Sequence, residues 1–314
     1  MVHAASRHGP CFPLSSAAPL QVAFPTRRIP VAPVHPIRLV VSDVDGTLLN
    51  PDHKLAPETI QAAQALRKAG IHLALASARA PGAMVPVVAQ LGLEGPQAAF
   101  NGGIIFTPNG TLGGKVDRSL TMPPQLVGLI VNALESEPVE TWLQDDHTWY
   151  VREPNTPLVQ AERASSGLVP TAANLADHVQ GINRLVAMGN DPESVAKVEG
   201  WLQKEFGGAA SIRRSMPCRI NITALGANKG EAMKALAALY HVRPDEVAVI
   251  GDAHNDIPML KSAGLSIAMG QAEGDVKAAA THVAGDNRGA GWADAIKRWV
   301  LPRAPGQVEK TEGA

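Results

Sequence analysis

Cysteine is scarce in this chain of 314 residues. Cys11 and Cys218 stand far apart, with no second Cys or His at metal-ligand spacing, so a disulfide scaffold is excluded and a zinc site has no support. Long apolar runs are also missing. Stretches such as Leu39 to Val41 and Val87 to Ala89 fall far short of the roughly 20 residues that cross a bilayer. Nor does charge of either sign prevail: the formal net charge is −1, with Lys, Arg, Asp and Glu interspersed and no basic stripe of the kind that follows a nucleic-acid backbone. These absences leave a globular protein with neither nucleic acid nor membrane as partner, and a reducing cytoplasm as the expected compartment. A hydrophobic fraction of 45% is enough for a real core.

Met1 to Pro36 is rich in Pro, Ala and Ser and contains no acidic residue, which predicts a disordered tail or an over-long start. Its Arg content also suits a targeting peptide, although the continuous apolar core of a secretory signal is lacking. Residues 303–314 read as a second tail. Between these ends β-rich runs alternate with helix-period runs, the pattern of a parallel sheet covered by helices. Ile37 to Ser42 reads as a buried strand. Pro57 opens a helix with Ile60, Ala63 and Leu66 on one face and Gly70 as its stop, and Ile71 to Ala76 is the next strand. Pro81 to Leu91 places Met84, Val87, Val88 and Leu91 on one helical face, closed by Gly92, before a third strand at Gln97 to Phe100.

From about Leu120 to Met216 the rhythm changes. A helix marked by Leu126, Leu129, Ile130, Ala133 and Leu134 precedes a hairpin of Val139 to Gln144 with Thr148 to Arg152. A strand at Arg184 to Met188, a helix capped by Asp191-Pro192 and a strand at Ala210 to Arg214 follow. This predicts an α+β unit, residues 120–216, inserted into a first unit built from residues 37–119 and 217–302. The first rhythm is expected to resume at once, with a strand from Arg219 to Thr223, a helix from Lys229 to Tyr240, a strand from Glu246 to Ile250, a helix from Ile257 to Ala263 and a strand from Leu265 to Ala268.

Four clusters carry chemistry. Asp43-Val44-Asp45-Gly46-Thr47 follows the first strand, where open parallel sheets bind ligands. Gly251-Asp252-Ala253-His254-Asn255-Asp256 follows another strand and adds two acids to the same edge. So many carboxylates repel unless a cation lies among them, and an all-oxygen donor set suits Mg²⁺. His254 reads as a loop residue. Ser77, at a strand end before a helix, suits a phosphate oxygen. Asn228 and Glu231 stand at capping-box spacing and hold Lys229 in the first turn of a helix, where a cation opposes the helix dipole and a bound phosphate would supply the reason.

Taken in order, DVDGTLL at Asp43, SAR at Ser77, NGG at Asn101, NKG at Lys229 and GDAHND at Asp252 closely resemble the haloacid dehalogenase-like superfamily, specifically its Cof-type phosphatase branch. The resemblance spans about Ile37 to Val300. It implies an α/β fold: a Rossmann-like parallel-sheet core with an inserted α+β cap of the C2B type. It also implies a Mg²⁺-dependent phosphomonoester hydrolase acting on a sugar phosphate or similar small metabolite. On that pattern Asp43 is the nucleophile and Asp45 the general acid and then base. Mg²⁺ is held by Asp43, the Asp45 backbone carbonyl and Asp252, with Thr47 and Asp256 behind them. Ser77 and Lys229 bind phosphoryl oxygens, Asn255 orients the reacting groups, and Arg79, Asn101 and Gly102 lie where substrate is met. An acid at Asp45 sets the chain apart from the dehalogenases and ion pumps of the superfamily. Asn221 and Ala224 depart from an acidic residue and a proline common in the branch, which leaves the substrate unnamed. Phosphosugar mutase and a non-catalytic phosphometabolite-binding protein are the alternatives, and a monomer or homodimer is expected. Trp142, Trp149, Tyr150 and Trp201 read as cap core before they read as a stacking surface. Arg213, Arg214 and Arg219 either meet a second anionic group or form a solvated face. Arg214 and Trp149 are the trial positions for a cap surface facing the core.

Overall fold

The structure, a computed structural model, describes residues 35–110 and 114–307, so residues 1–34 and 308–314 of the expected tails lie outside the described residues. The chain opens with β1 (Leu39–Ser42), α1 (Pro57–Lys68), β2 (His72–Leu75) and α2 (Pro81–Leu91). Both helices start on a proline, whose missing N–H costs nothing there, and Gly92 closes α2 at φ +60°. Then β3 (Gln97–Ala99), β4 (Ile104–Thr107) and β5 (Lys115–Ser119) make a small antiparallel sheet, tied to the end of β2 through an Ala76–Ala98 bridge.

The inserted part comprises α3 (Pro124–Ala133), β6 (Glu140–Gln144), β7 (Trp149–Val151), α4 (Pro157–Ser166), β8 (Thr171–Ala172), β9 (Arg184–Met188), α5 (Pro192–Phe206), β10 (Ala210–Met216) and β11 (Arg219–Ala224). Its strands form one six-stranded sheet in the order β10-β11-β9-β6-β7-β8, antiparallel except for β7 and β8. The chain then returns through α6 (Lys229–Leu239), β12 (Val247–Gly251), α7 (Ile257–Leu260), β13 (Leu265–Ala268) and β14 (His282–Val283). These complete a parallel sheet in the order β14-β13-β12-β1-β2.

Alternation along β1 and β12 sends Val40, Ala248 and Ile250 into one apolar layer and Leu39, Val41, Val247 and Val249 into another. Both faces of the parallel sheet are therefore buried, as helices on either side require. In the cap sheet Leu143, Leu185, Ala187, Ile212, Ile220 and Ile222 pack on one face with Ile130, Val198 and Leu202 of the cap helices. The opposite face is mixed: Trp142, Trp149, Val151 and Val186 form a buried apolar cluster with Val159 towards the β6–β7 end, and polar positions of β10 and β11 occupy the rest.

Two boundaries differ from the sequence reading. The strand at Arg219 does not rejoin the core: β11 pairs antiparallel with both β10 and β9, so the return begins after Ala224 rather than at residue 217. Residues 303 and 304 are not a solvated tail either. The Arg303 carbonyl accepts from the Ile37 N–H at 2.7 Å, and Ala304 is buried in the core layer beside β1.

Candidate active site

The Asp43 N–H donates to the Ile250 carbonyl at 2.9 Å, extending the β1/β12 ladder by one step and fixing Asp43 at the carboxyl edge of the sheet. The backbone then turns at Gly46, with φ +81°, where a Cβ would stand 2.3 Å from Asp252 Oδ2. Only glycine lets the two acidic loops approach so closely. Thr47 Oγ1 donates to Asp252 Oδ1 at 2.7 Å and steadies that carboxylate.

Lys229 enters from the first turn of α6. Asn228 caps the helix by accepting from the Glu231 N–H at 3.0 Å, whereas the Glu231 carboxylate pairs with Lys234, so only half of the expected capping box forms. The Lys229 side chain is 1% exposed and donates to Asp43 Oδ1 at 2.5 Å and to Asp256 Oδ1 at 2.6 Å. Asp256 Oδ2 accepts from the N–H groups of Asp252 and Ala253, each at 2.9 Å. Both Asp256 oxygens are thus committed, and the residue stands behind the site. Oxygens of Asp43, Asp252 and Asp256 lie within 4.8 Å of one another, an arrangement able to hold a cation. The all-oxygen donors and the close approach at Gly46 fit a hard divalent ion.

Electrostatics agree with that fit. Burial pushes the Asp43 carboxyl well above the ordinary aspartate range; the Lys229 charge opposes the shift, and Asp256 and Asp252 add to it. Asp252 is also raised, by burial first and by Asp256, against the Thr47 bond. Burial alone would lower Lys229, but the charges of Asp256 and Asp43 outweigh it and raise it.

The Asp45 carboxylate stands apart from the other acids of the cleft. Its carboxylate is gripped by Arg79, Nε to Oδ2 at 2.7 Å and Nη2 to Oδ1 at 2.6 Å, with His53 Nδ1 at 3.3 Å, and it is absent from the acidic cluster. Burial works against its ionisation, but the Arg79 bonds and charge, aided by His53, hold it below the usual range. Among its metal-binding options this leaves the backbone carbonyl.

Ser77 is buried, and its Oγ accepts from the Arg79 N–H at 3.1 Å. Asn101 Oδ1 accepts from Asn255 Nδ2 at 3.0 Å, and Asn255 Oδ1 is buried without a hydrogen-bond partner among the described residues. Gly102 is corrected. At φ +96° a Cβ there would stand 2.7 Å from Ala232 Cβ, so it serves the packing of the loop on α6 and does not line the cleft.

Asp43, Asp45, Ser77, Arg79, Asn101, Lys229, Asp252 and Asn255 line one cleft of about 1910 Å³, and cap residues line the same cleft. The polar positions of β9, β10 and β11, among them Arg184, Arg213, Arg219, Asn221 and Thr223, face it, alternating with the apolar positions that face the cap helices. Arg184 and His53 were not singled out from the sequence. Trp149 packs edge-on against Trp142 at 5.3 Å and is 2% exposed, and it does not line the main cleft but a smaller cavity shared with Ala80, Pro81 and Phe100 of the core. Arg214 does line the cleft, paired with Glu199 at 3.2 Å.

A family model of haloacid dehalogenase-like hydrolases matches residues 40–296. The chain is 27% identical over 271 residues to the 5-amino-6-(5-phospho-D-ribitylamino)uracil phosphatase YcsE of Bacillus subtilis (84% of this chain, 96% of the relative). It is 25% identical over 263 residues to the pyridoxal phosphate phosphatase YbhA of Escherichia coli (80% and 94%). A solved haloacid dehalogenase-like hydrolase from Bacteroides thetaiotaomicron superposes with a TM-score of 0.75 at 26% identity, covering 83% of this chain and 99% of that one. With its parallel core, inserted cap and matched length, the chain belongs to the haloacid dehalogenase-like hydrolases.

Proposed function

We propose that the chain is a magnesium-dependent phosphatase of small phosphorylated metabolites, sugar phosphates among them, working through an aspartyl phosphate on Asp43. The observation that carries this reading is the buried Asp43–Lys229–Asp256 triad beside Asp252 at the floor of the cleft. Relatives named as phosphatases of a phosphoribityl compound and of pyridoxal phosphate support the substrate class.

Asp43 attacks phosphorus, and the bond to the leaving oxygen breaks as that oxygen takes a proton from Asp45. Water then attacks the acyl phosphate, Asp45 accepts its proton, and Asp43 and inorganic phosphate are released. Asp43, Asp252 and the Asp45 carbonyl would hold magnesium, which when bound would supply the positive charge that lets an anionic nucleophile approach an anionic ester. Lys229 uses two N–H groups on Asp43 and Asp256 and keeps a third for a phosphoryl oxygen, with Ser77 Oγ beside it. While Arg79 grips both oxygens, Asp45 is an ionised base. A phosphoryl dianion in the cleft competes for the same guanidinium, and release of Asp45 lets it carry the proton that the first step needs. Asn101 and Asn255, bonded to each other, line the same cleft, with the Asn101 N–H donating to the Ser77 carbonyl.

The test is phosphate release from a panel of phosphomonoesters with Mg²⁺, together with Asp43→Asn. The nearly isosteric amide should preserve the fold and abolish turnover. Retention of more than a few per cent of the rate would sink the nucleophile assignment.

A further inference from the structure

The cap side of the cleft is cationic. Four arginines (Arg184, Arg213, Arg214 and Arg219) and one glutamate, Glu162, line it from the inserted unit. Glu162 pairs with Arg219, and Glu199 pairs with Arg214. Arg184 is different: it is 4% exposed, and among the described residues no carboxylate pairs with it. Its Nε donates to Gln144 Oε1 at 2.6 Å and its Nη1 to the Ala78 carbonyl at 2.6 Å, with Asn221 Oδ1 at 3.5 Å. Phe100 covers one face of the guanidinium at 4.4 Å. The hydrogen bonds of Arg184 among the described residues run from Nε and Nη1, so Nη2 has no partner there, and Arg219 Nε is buried and unpaired among the same residues.

A guanidinium withdrawn from water without a counter-ion is costly, and neutral carbonyls repay only part of that cost. Burial, with Arg219 nearby, pulls Arg184 down to about 9. An oxyanion against Nη2 would complete the pairing, and a planar fork suits carboxylate and phosphate alike. Ala78 lies between Ser77 and Arg79, so Arg184 stands where the leaving group of a phosphomonoester held on the core would extend.

We propose that Arg184, flanked by Arg219, binds a second anionic group, carboxylate or phosphate, on the leaving group of the substrate. This rests on the phosphatase reading and narrows it to phosphomonoesters that carry two anionic ends.

Binding to full-length Asp43→Asn with Mg²⁺, measured calorimetrically, separates this inference from turnover. One arm compares D-3-phosphoglycerate with sn-glycerol 3-phosphate, the other D-fructose 1,6-bisphosphate with D-fructose 6-phosphate. The doubly anionic member of at least one pair should bind ten-fold tighter or more, and the arm that responds identifies the anion. Adding Arg184→Gln should bring that ratio to within about two-fold, with Arg184→Lys, which keeps the charge but not the fork, in between. A ratio near one in both arms before any change at Arg184 overturns the proposal, whatever the stability of the variants. So does an Arg184→Gln protein that weakens both members of a pair equally, since Arg184 would then serve the transferred phosphate or the fold. Failure of the phosphatase reading would show separately, as absence of phosphate release from the wild-type chain.

Discussion

Replacing Lys229 by Met removes one charge at nearly constant shape and leaves Asp43 and Asp256 facing each other with no cation between them. Removing one partner of a buried ion pair costs about 3–5 kcal/mol, because the surviving charge stays desolvated. At about 1.5 °C per kcal/mol for a protein of this size, the melting temperature in EDTA at pH 7.5 should fall by about 5–8 °C. The pH dependence identifies the cause. Lys229 has a raised pKa, so its contribution is complete below the ordinary lysine value and is lost only in strong alkali; between pH 5 and 8 it does not titrate. Asp43 is raised above its unfolded value, so the folded state binds the extra proton, and stability falls as pH rises from the ordinary aspartate range through the raised one. Without Lys229 that shift grows, so the penalty measured by thermal unfolding should be smaller at pH 5 than at pH 7.5. A Lys229→Met protein within about 1 kcal/mol of wild type at both pH values would refute the reasoning, since an unpaired buried carboxylate costs more than that.

Three further outcomes follow from the acidic floor. Mg²⁺ at a hundred times its Kd should stabilise the fold by about 2.7 kcal/mol, and the shift should shrink as pH falls because protons on the raised Asp43 and Asp252 carboxyls compete with the ion; equal shifts at pH 5 and 7.5 would contradict the site. Excess EDTA should abolish turnover, and Ca²⁺, with its looser shell, should inhibit it in a phosphate-release assay. Gly46→Ala should cost about 1–2 kcal/mol for its left-handed backbone alone, and by crowding Asp252 it should raise the Mg²⁺ concentration for half-maximal activity by ten-fold or more; an unchanged metal requirement would separate Gly46 from the site.

The core of this site was legible because its residues sit at ends of local patterns: a buried strand before Asp43, another before Asp252, a capped helix start at Lys229. What failed was set by distant contacts. The β11 strand was given to the core, although its alternation of Ile220 and Ile222 with Arg219, Asn221 and Thr223 is the period of a sheet with one polar face, unlike the unbroken apolar run of β12. That signal was present and outweighed by the expected rhythm. Arg184 at a strand start resembles a solvated edge residue; its burial depends on the Ala78 carbonyl, 106 residues away in sequence, which no local period encodes. Asp45 counts by spacing as one more acid on the same sheet edge, yet Arg79, 34 residues on, takes its carboxylate, a partner that no local pattern encodes.

The two walls of the cleft carry opposite charge, and this assigns them different tasks. On the floor, Asp43, Asp252 and Asp256 face the single ammonium of Lys229, which leaves an excess of two negative charges when all are ionised. A phosphate dianion meets repulsion there until a divalent ion neutralises the excess, and the raised Asp43 and Asp252 express the same repulsion in the absence of substrate. On the roof, four arginines outnumber the one glutamate. On the proposed phosphatase reading, attraction of an anion into the cleft belongs to the cap, while the floor decides which end of that anion reacts. The Arg184–Ala78 hydrogen bond ties the two walls together beside Ser77, so a cap displaced from the core would lose the roof cation and the phosphate-side loop contact at once.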